Sequence, residues 1–77
     1  MGLKNISLAT FRDFLRFKGL YIISIEGGHE KWNKSGLKRP AILQTHKNPV
    51  PEFIIRNNLS TIGSNRREFE DWLKTKS

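Results

Sequence analysis

The first part of the chain shows helical spacing of its apolar residues. Leu8, Phe11 and Leu15 recur at the three- and four-residue intervals of one helix face, with polar and charged residues between them. This pattern predicts an amphipathic helix over residues 8–18. Gly19 follows at the position where a residue in the left-handed conformation commonly ends a helix, so we expect the helix to stop there.

The middle of the chain changes to extended patterns. Residues 20–26 are rich in β-branched and aromatic side chains, which predicts a strand. Gly27-Gly28 predicts a two-residue type I′ turn, because both central residues of that turn require positive φ. Residues 29–33 are then the return strand of a hairpin, and residues 39–46 form a third strand.

Helical spacing returns after the third strand. Pro51 suits the first position of a helix, because its missing N–H would have no partner there. On this helix Ile55, Leu59 and Ile62 recur at i, i+4 and i+7. Gly63 follows them and is expected to end the helix.

A last helix is predicted near the end of the chain. Asn65 and Glu68 have the spacing of a capping box, and Phe69, Trp72 and Leu73 share one face of the helix that they open. The element order is therefore α-β-β-β-α-α. We expect an α+β sandwich, in which a three-stranded antiparallel sheet carries the helices on one face.

The hairpin register predicts which side chains reach each face of the sheet. Across a two-residue Gly27-Gly28 loop, Glu26 lies opposite His29 and Ile23 lies opposite Trp32. The helix-covered face is then expected to hold Tyr21, Ile23, Ile25, Trp32 and Leu43. The open face is expected to hold Ser24, Glu26, His29, Lys31, Gln44 and His46, with Lys38 beside them. Ile22 and Ile42 also fall on the open face, where a protein partner would have to cover them.

The composition of residues 1–77 fits one small domain with a single apolar core, since 36% of the residues are hydrophobic. The chain has no cysteine and therefore forms neither a disulfide nor a thiolate metal site. Its two histidines lack the spacing of paired ligands, so we expect no metal and no cofactor. A polar N-terminal segment and the lack of a long apolar run predict no signal peptide, no membrane span and a cytoplasmic location.

The charge balance is strongly basic. Fourteen Lys and Arg stand against seven Asp and Glu, which gives a formal net charge of +7 at pH 7. Such a charge on a small domain favours a polyanionic partner, most often nucleic acid. The alternative is that the charge serves only solubility. Because the basic residues are distributed along the chain, a folded basic face is expected rather than a disordered arm.

The segment GGHEKW after a strand, followed by RPAILQTH and a helix with Ile at helical spacing, resembles the HicA toxins. The resemblance covers about residues 8–74. HicA toxins are small ribonucleases of bacterial toxin–antitoxin pairs, with a fold like the double-stranded-RNA-binding domain. Their motif of a glycine, a small residue and the catalytic histidine is matched here by Gly27, Gly28 and His29. Serine is usual where this chain has Gly28, and the proline that often precedes a second histidine by two residues is absent before His46.

The resemblance implies that His29 is a catalytic acid or base in the cleavage of messenger RNA. Without a metal, such cleavage needs one group that deprotonates the 2′-hydroxyl and another that protonates the leaving 5′-oxygen, and histidine suits both roles because its ordinary pKa is about 6.5. Candidates for the second group are His46, Lys31 and Glu26, and Lys31 is also a candidate to stabilise phosphate charge. Gly27-Gly28 would position the site and let the backbone approach a phosphate.

The resemblance also implies a protein partner, a HicB-type antitoxin that covers the open face. Six basic side chains are candidates for contacts with RNA phosphates: Arg12, Arg16, Lys31, Lys34, Lys38 and Arg39. The simpler interpretations are that these are solvated surface charges and that His29 is an ordinary hairpin residue. Trp32 could stack on a base, but its register favours the core. An alternative function is a non-catalytic RNA-binding module that uses the same basic face.

Overall fold

The computed structural model describes residues 3–76, and the element order and α+β class predicted from the sequence are confirmed. The elements are helix α1 (Leu8–Phe17), strands β1 (Tyr21–Glu26), β2 (His29–Asn33) and β3 (Ala41–Gln44), and helices α2 (Glu52–Thr61) and α3 (Arg66–Lys74). The third strand is shorter than predicted. The strands pair antiparallel in the order β1-β2-β3. Within residues 3–76, no helix combines the length and the apolarity needed to cross a bilayer.

The ends of the helices follow most of the signals in the sequence. Gly19 has a φ of +90° and directly follows the C-cap of α1. The sequence predicts Pro51 as the first residue of α2, but in the structure Pro51 is the N-cap and the helix begins one residue later, at Glu52. Asn65 caps α3, where its Oδ1 accepts a hydrogen bond from the Glu68 N–H at 2.8 Å. The Glu68 carboxylate accepts a hydrogen bond from Lys18 Nζ at 2.7 Å and thereby joins α3 to the end of α1.

Aromatic side chains from α1 and α3 form the centre of the core. The rings of Phe14 and Phe69 meet edge to face, with centroids 4.8 Å apart, an arrangement that aromatic pairs prefer. Trp32 is only 1% exposed and belongs to this core, as its register predicted. Leu3 and Ile6 are buried as well, so the core also includes residues that precede the segment resembling HicA toxins.

The predicted register of β1 is wrong at the centre of the strand. Ile22, and not Ile23, lies opposite Trp32, because the pairing shifts at Ile23 as it does at a β-bulge. Ile22 therefore shares the face of Trp32 and is not on the open face. The prediction that Tyr21, Ile23 and Ile25 are covered is also wrong, since they are 58%, 49% and 62% exposed. The buried strand side chains all belong to β2 and β3.

An ion pair between the half-buried Arg12 and the buried Glu30 connects α1 to the central strand. Glu30 is 5% exposed and accepts hydrogen bonds from Arg12 Nε at 3.1 Å, Arg12 Nη2 at 2.6 Å and Trp32 Nε1 at 3.1 Å. Burial alone would raise the pKa of Glu30, but the hydrogen bonds from Arg12 and Trp32 outweigh it and hold the pKa below its ordinary value. The hydrogen bond to Glu30 likewise raises the pKa of Arg12.

A second buried polar side chain closes the outer edge of β3. Asn58 of α2 is 5% exposed, and its Oδ1 accepts a hydrogen bond from the Ile42 N–H at 3.2 Å. Its Nδ2 donates to the Ile42 carbonyl at 2.9 Å. One amide thus supplies both hydrogen bonds that a neighbouring strand would otherwise make with Ile42, and it fixes α2 beside the sheet.

Arg12→Met should destabilise the protein by about 3–5 kcal/mol, because it leaves the buried Glu30 carboxylate without its charged partner. The pH dependence should change sign as well. In the parent protein the lowered pKa of Glu30 gives a contribution that is complete above the ordinary pKa of 4.5 and is lost as the pH falls through the folded value. In Arg12→Met, burial should raise that pKa, so stability should increase as the pH falls from neutral.

Urea unfolding at a series of pH values measures both effects. Arg56→Met is the matched control, because its ion pair with Glu52 is exposed and should contribute less than about 1 kcal/mol. Similar losses of unfolding free energy in the two variants, or an unchanged pH dependence of stability in Arg12→Met, would show that Arg12 does not stabilise the ionised Glu30 carboxylate.

Candidate active site

The hairpin turn has the predicted conformation. Gly27 and Gly28 have φ values of +56° and +79°, the positive values that a type I′ turn requires at both central residues. Glu26 and His29 are paired across the turn, as the two-residue loop predicted. His29 is therefore the first residue of the central strand, and its side chain is exposed.

The turn is attached to the residues that follow β3. The Gly28 carbonyl accepts hydrogen bonds from the Thr45 N–H at 2.8 Å and from Thr45 Oγ1 at 3.1 Å. These two bonds hold the hairpin loop against the end of the neighbouring strand. No role for Thr45 is predicted from the sequence, because its contact with Gly28 depends on the pairing of two strands that are separated along the chain.

This attachment brings the two histidines of the chain together. The ring centroids of His29 and His46 are 6.5 Å apart, with the ring planes at 82° to each other. Both side chains are exposed. Two imidazoles at this separation can both reach one small group between them through hydrogen bonds of ~2.6–3.2 Å. The geometry therefore suits a reaction in which one ring accepts a proton and the other donates one.

His29 has polar neighbours on both adjacent strands. Its pairing partners are Glu26 on β1 and Gln44 on β3, so a carboxylate, an imidazole and an amide form one row across the open face. Lys31 lies two residues further along β2 on the same face, opposite Ile42. Cross-strand neighbours have β-carbons ~4.5–5.5 Å apart, which is within reach of direct side-chain contact. Lys31 and Glu26 are thus both next to His29 in the sheet.

Three of the six basic candidates lie on the helix side and contact other parts of the fold. Arg12 is bonded to Glu30, as described above. The Arg16 guanidinium lies over the Trp32 ring at 5.3 Å from its centroid. Lys34 Nζ donates a hydrogen bond to the carbonyl of Lys18 at 3.0 Å. The structure does not bring these three side chains to the face that carries His29.

The other three basic candidates differ in their position relative to His29. Lys31 is exposed beside His29. Arg39 precedes β3 and lines a groove that also contains Gln44. Lys38 is at the opposite end of β3 from His46, in a depression with Gly63, so it is not beside the histidines as the sequence predicted. Within residues 3–76, no group of three or more His, Asp or Glu side chains is arranged to hold a metal ion.

Alanine at each glycine of the turn separates the backbone requirement from the contact with His46. Both Gly27→Ala and Gly28→Ala force a side chain into the left-handed region, which should cost roughly 1–2 kcal/mol in each variant. A β-carbon at Gly28 would lie 3.5 Å from Thr45 Oγ1 and 3.6 Å from His46 Nδ1, whereas one at Gly27 would meet no atom within 4 Å. Only Gly28→Ala should therefore shift the ring signals of His46.

Chemical denaturation measures the stability of the two variants, and NMR of the histidine rings reports the position of His46. Identical His46 spectra in both variants would show that the His46 ring does not lie against Gly28.

Comparisons of this chain with protein-family models, curated proteins and solved structures found no match.

Proposed function

We propose that this protein is an endoribonuclease, the toxin of a type II toxin–antitoxin pair, which cleaves messenger RNA in the cytoplasm without a metal. The observation that carries the proposal is the His29–His46 pair, with ring centroids 6.5 Å apart on the open face of a basic domain. The resemblance to HicA toxins supports the same role for His29. In this proposal the α-β-β-β-α part of the chain is a variant of the double-stranded-RNA-binding fold, and α3 is an addition to it.

The proposed reaction uses the 2′-hydroxyl of the RNA as its nucleophile. One histidine of the pair accepts the proton of the 2′-hydroxyl, and the 2′-oxygen then attacks the phosphorus. The bond from phosphorus to the 5′-oxygen breaks, and the other histidine donates a proton to that oxygen. The products are a 2′,3′-cyclic phosphate and a 5′-hydroxyl. Lys31, on the same face as His29, would stabilise the charge that develops on the phosphate.

The charge of the domain supports RNA as the partner. The formal net charge of +7 attracts a polyanion, and Lys31 lies on the same face of the sheet as His29. A non-catalytic RNA-binding module would share this charge and the salt-sensitive binding that it produces. Only the ribonuclease is expected to break the RNA chain, and cleavage distinguishes the two functions.

Purified protein incubated with single-stranded RNA and EDTA should cleave the RNA, as read on a denaturing gel. His29→Ala should reduce the cleavage rate by ~10²–10⁴-fold, because positioned acid–base catalysis typically contributes that factor. His46→Ala should cause a loss of the same order if His46 is the second group. Both side chains are exposed, so both variants should keep the parent circular dichroism spectrum and thermal stability.

Trp32→Ala is the control for loss of activity through unfolding. Removal of this 1% exposed ring should destabilise the protein by roughly 3–5 kcal/mol, with loss of the folded dichroism signal. A folded His29→Ala protein that cleaves at the parent rate would eliminate the proposed role of His29. RNA that stays intact with the parent protein under all conditions would favour the non-catalytic binding module.

The proposed partner is an acidic HicB-type antitoxin that covers the open face and hides His29. Lys31 and the half-buried Ile42 are adjacent on this face, which would provide a basic and an apolar contact side by side. Lys31→Glu should slow association with the antitoxin and reduce its dependence on salt, whereas His29→Ala should leave the affinity nearly unchanged. Surface plasmon resonance with the small acidic protein of the adjacent reading frame measures both, and the absence of such a reading frame would contradict the proposal.

A further inference from the structure

A groove between β3 and α2 continues the candidate active site across the sheet. Its volume is about 550 Å³, within the range of ~300–1,000 Å³ that is typical of small-ligand sites. Gln44 forms part of its wall and is also the pairing partner of His29. Since neighbouring strands lie ~4.8 Å apart, a ligand in the groove would be immediately beside the position of the reacting phosphate.

The most unusual feature of this groove is the exposed ring of Phe53. The buried residues of α2 are Ile54, Ile55, Asn58 and Leu59, so Phe53 lies on the other side of the helix. Its side chain is 59% exposed, although it borders the groove. Asn57 follows one helical turn later and lines the same groove. An aromatic face and an amide group are therefore adjacent, one strand away from the histidine pair.

Two cationic side chains lie near this groove. Lys47 Nζ lies over the Phe53 ring, 5.8 Å from its centroid. Arg39 lines the other part of the groove, with Gln44 and Asn57. The wall thus combines a flat ring, amide side chains that can each donate and accept hydrogen bonds, and the positive charge of Arg39, while Lys47 adds a second charge over the ring. Nucleotides present matching groups, namely a base face, a base edge with donors and acceptors, and a phosphate.

We infer that the β3–α2 groove binds one unpaired base of single-stranded RNA, which stacks on Phe53 next to the bond that His29 and His46 cleave. The cleavage of that bond by His29 and His46 rests on the proposed function, whereas the binding of a base in the groove does not depend on it. Asn57 and Gln44 contact the edge of the base, and Lys47 and Arg39 contact the flanking phosphates. A base inside a duplex cannot stack on a side chain, so the site requires an unpaired nucleotide. This requirement holds although the fold proposed for this protein is that of double-stranded-RNA-binding domains.

Binding of a non-cleavable RNA tests this site separately from catalysis. The probe is a fluorescent single-stranded oligoribonucleotide with 2′-O-methyl groups, which removes the nucleophile, and anisotropy measures its affinity. Phe53→Leu keeps an apolar side chain but removes the aromatic face, and it should weaken binding roughly 5- to 100-fold. Phe53→Trp should bind at least as tightly as the parent protein.

Phe17→Leu is the matched control. Phe17 is 61% exposed on α1 and lies against Trp72, with the ring centroids 6.1 Å apart, away from the groove. This variant should bind RNA with the parent affinity. An oligonucleotide in which one base is removed should bind the parent protein more weakly, and Phe53→Leu should cause no further loss with that oligonucleotide. A fully paired duplex probe should show no difference between the parent protein and Phe53→Leu.

The outcomes separate this inference from the proposed function. RNA binding that depends on Phe53, in a parent protein that never cleaves RNA, would support the groove and refute the ribonuclease. Cleavage that depends on His29, with equal RNA affinity for Phe53→Leu and the parent protein, would refute the groove and leave the ribonuclease standing. If Phe53→Leu weakens the binding of the intact and the base-deleted oligonucleotide by the same factor, base stacking on Phe53 in the groove is also refuted. No RNA binding by any of these proteins would refute both.

Discussion

The carboxylate of Glu30 accepts three hydrogen bonds on the covered face of the central strand, two from Arg12 and one from Trp32. Because successive strand residues point to opposite faces, this attachment forces His29 and Lys31 onto the open face. A shift of one residue in β2 would bury both of these polar side chains and expose the ion pair to water. The orientation of the candidate active site thus depends on a polar contact on the other side of the sheet.

The basic charge of the chain is divided between two different tasks. On the helix side, Arg12, Arg16 and Lys34 bind a carboxylate, an aromatic ring and a backbone carbonyl, so they hold the layers of the fold together. On the open face Lys31 lies near His29, and Arg39 lines the groove that contains Gln44 and Phe53. A net charge of +7 therefore overstates the number of cations that are placed to contact RNA near His29.

The sequence predicts the local elements of this fold better than its long-range contacts. Gly27-Gly28 identifies the hairpin because a two-residue turn depends on local φ values alone, and the same register correctly places Trp32 in the core. The shift at Ile23 could not be predicted, because all its neighbours favour a strand and no glycine marks it. At the site, His29 and the open face were predictable. The Thr45 contact and the Phe53 groove were not, since they depend on how β3 meets the hairpin and α2.

The two outer strands of the sheet differ in what they offer to another chain. Pro40, which directly precedes β3, has no N–H, and both backbone groups of Ile42 in β3 are bonded to Asn58. The carbonyl of Gln44 accepts a hydrogen bond from the Lys47 N–H at 3.2 Å, so little of this strand remains for further pairing. Within residues 3–76, no side chain makes such hydrogen bonds to the apolar and exposed β1. A foreign strand is therefore expected to extend the sheet at β1, on the side away from the groove, and such a strand would leave the groove open.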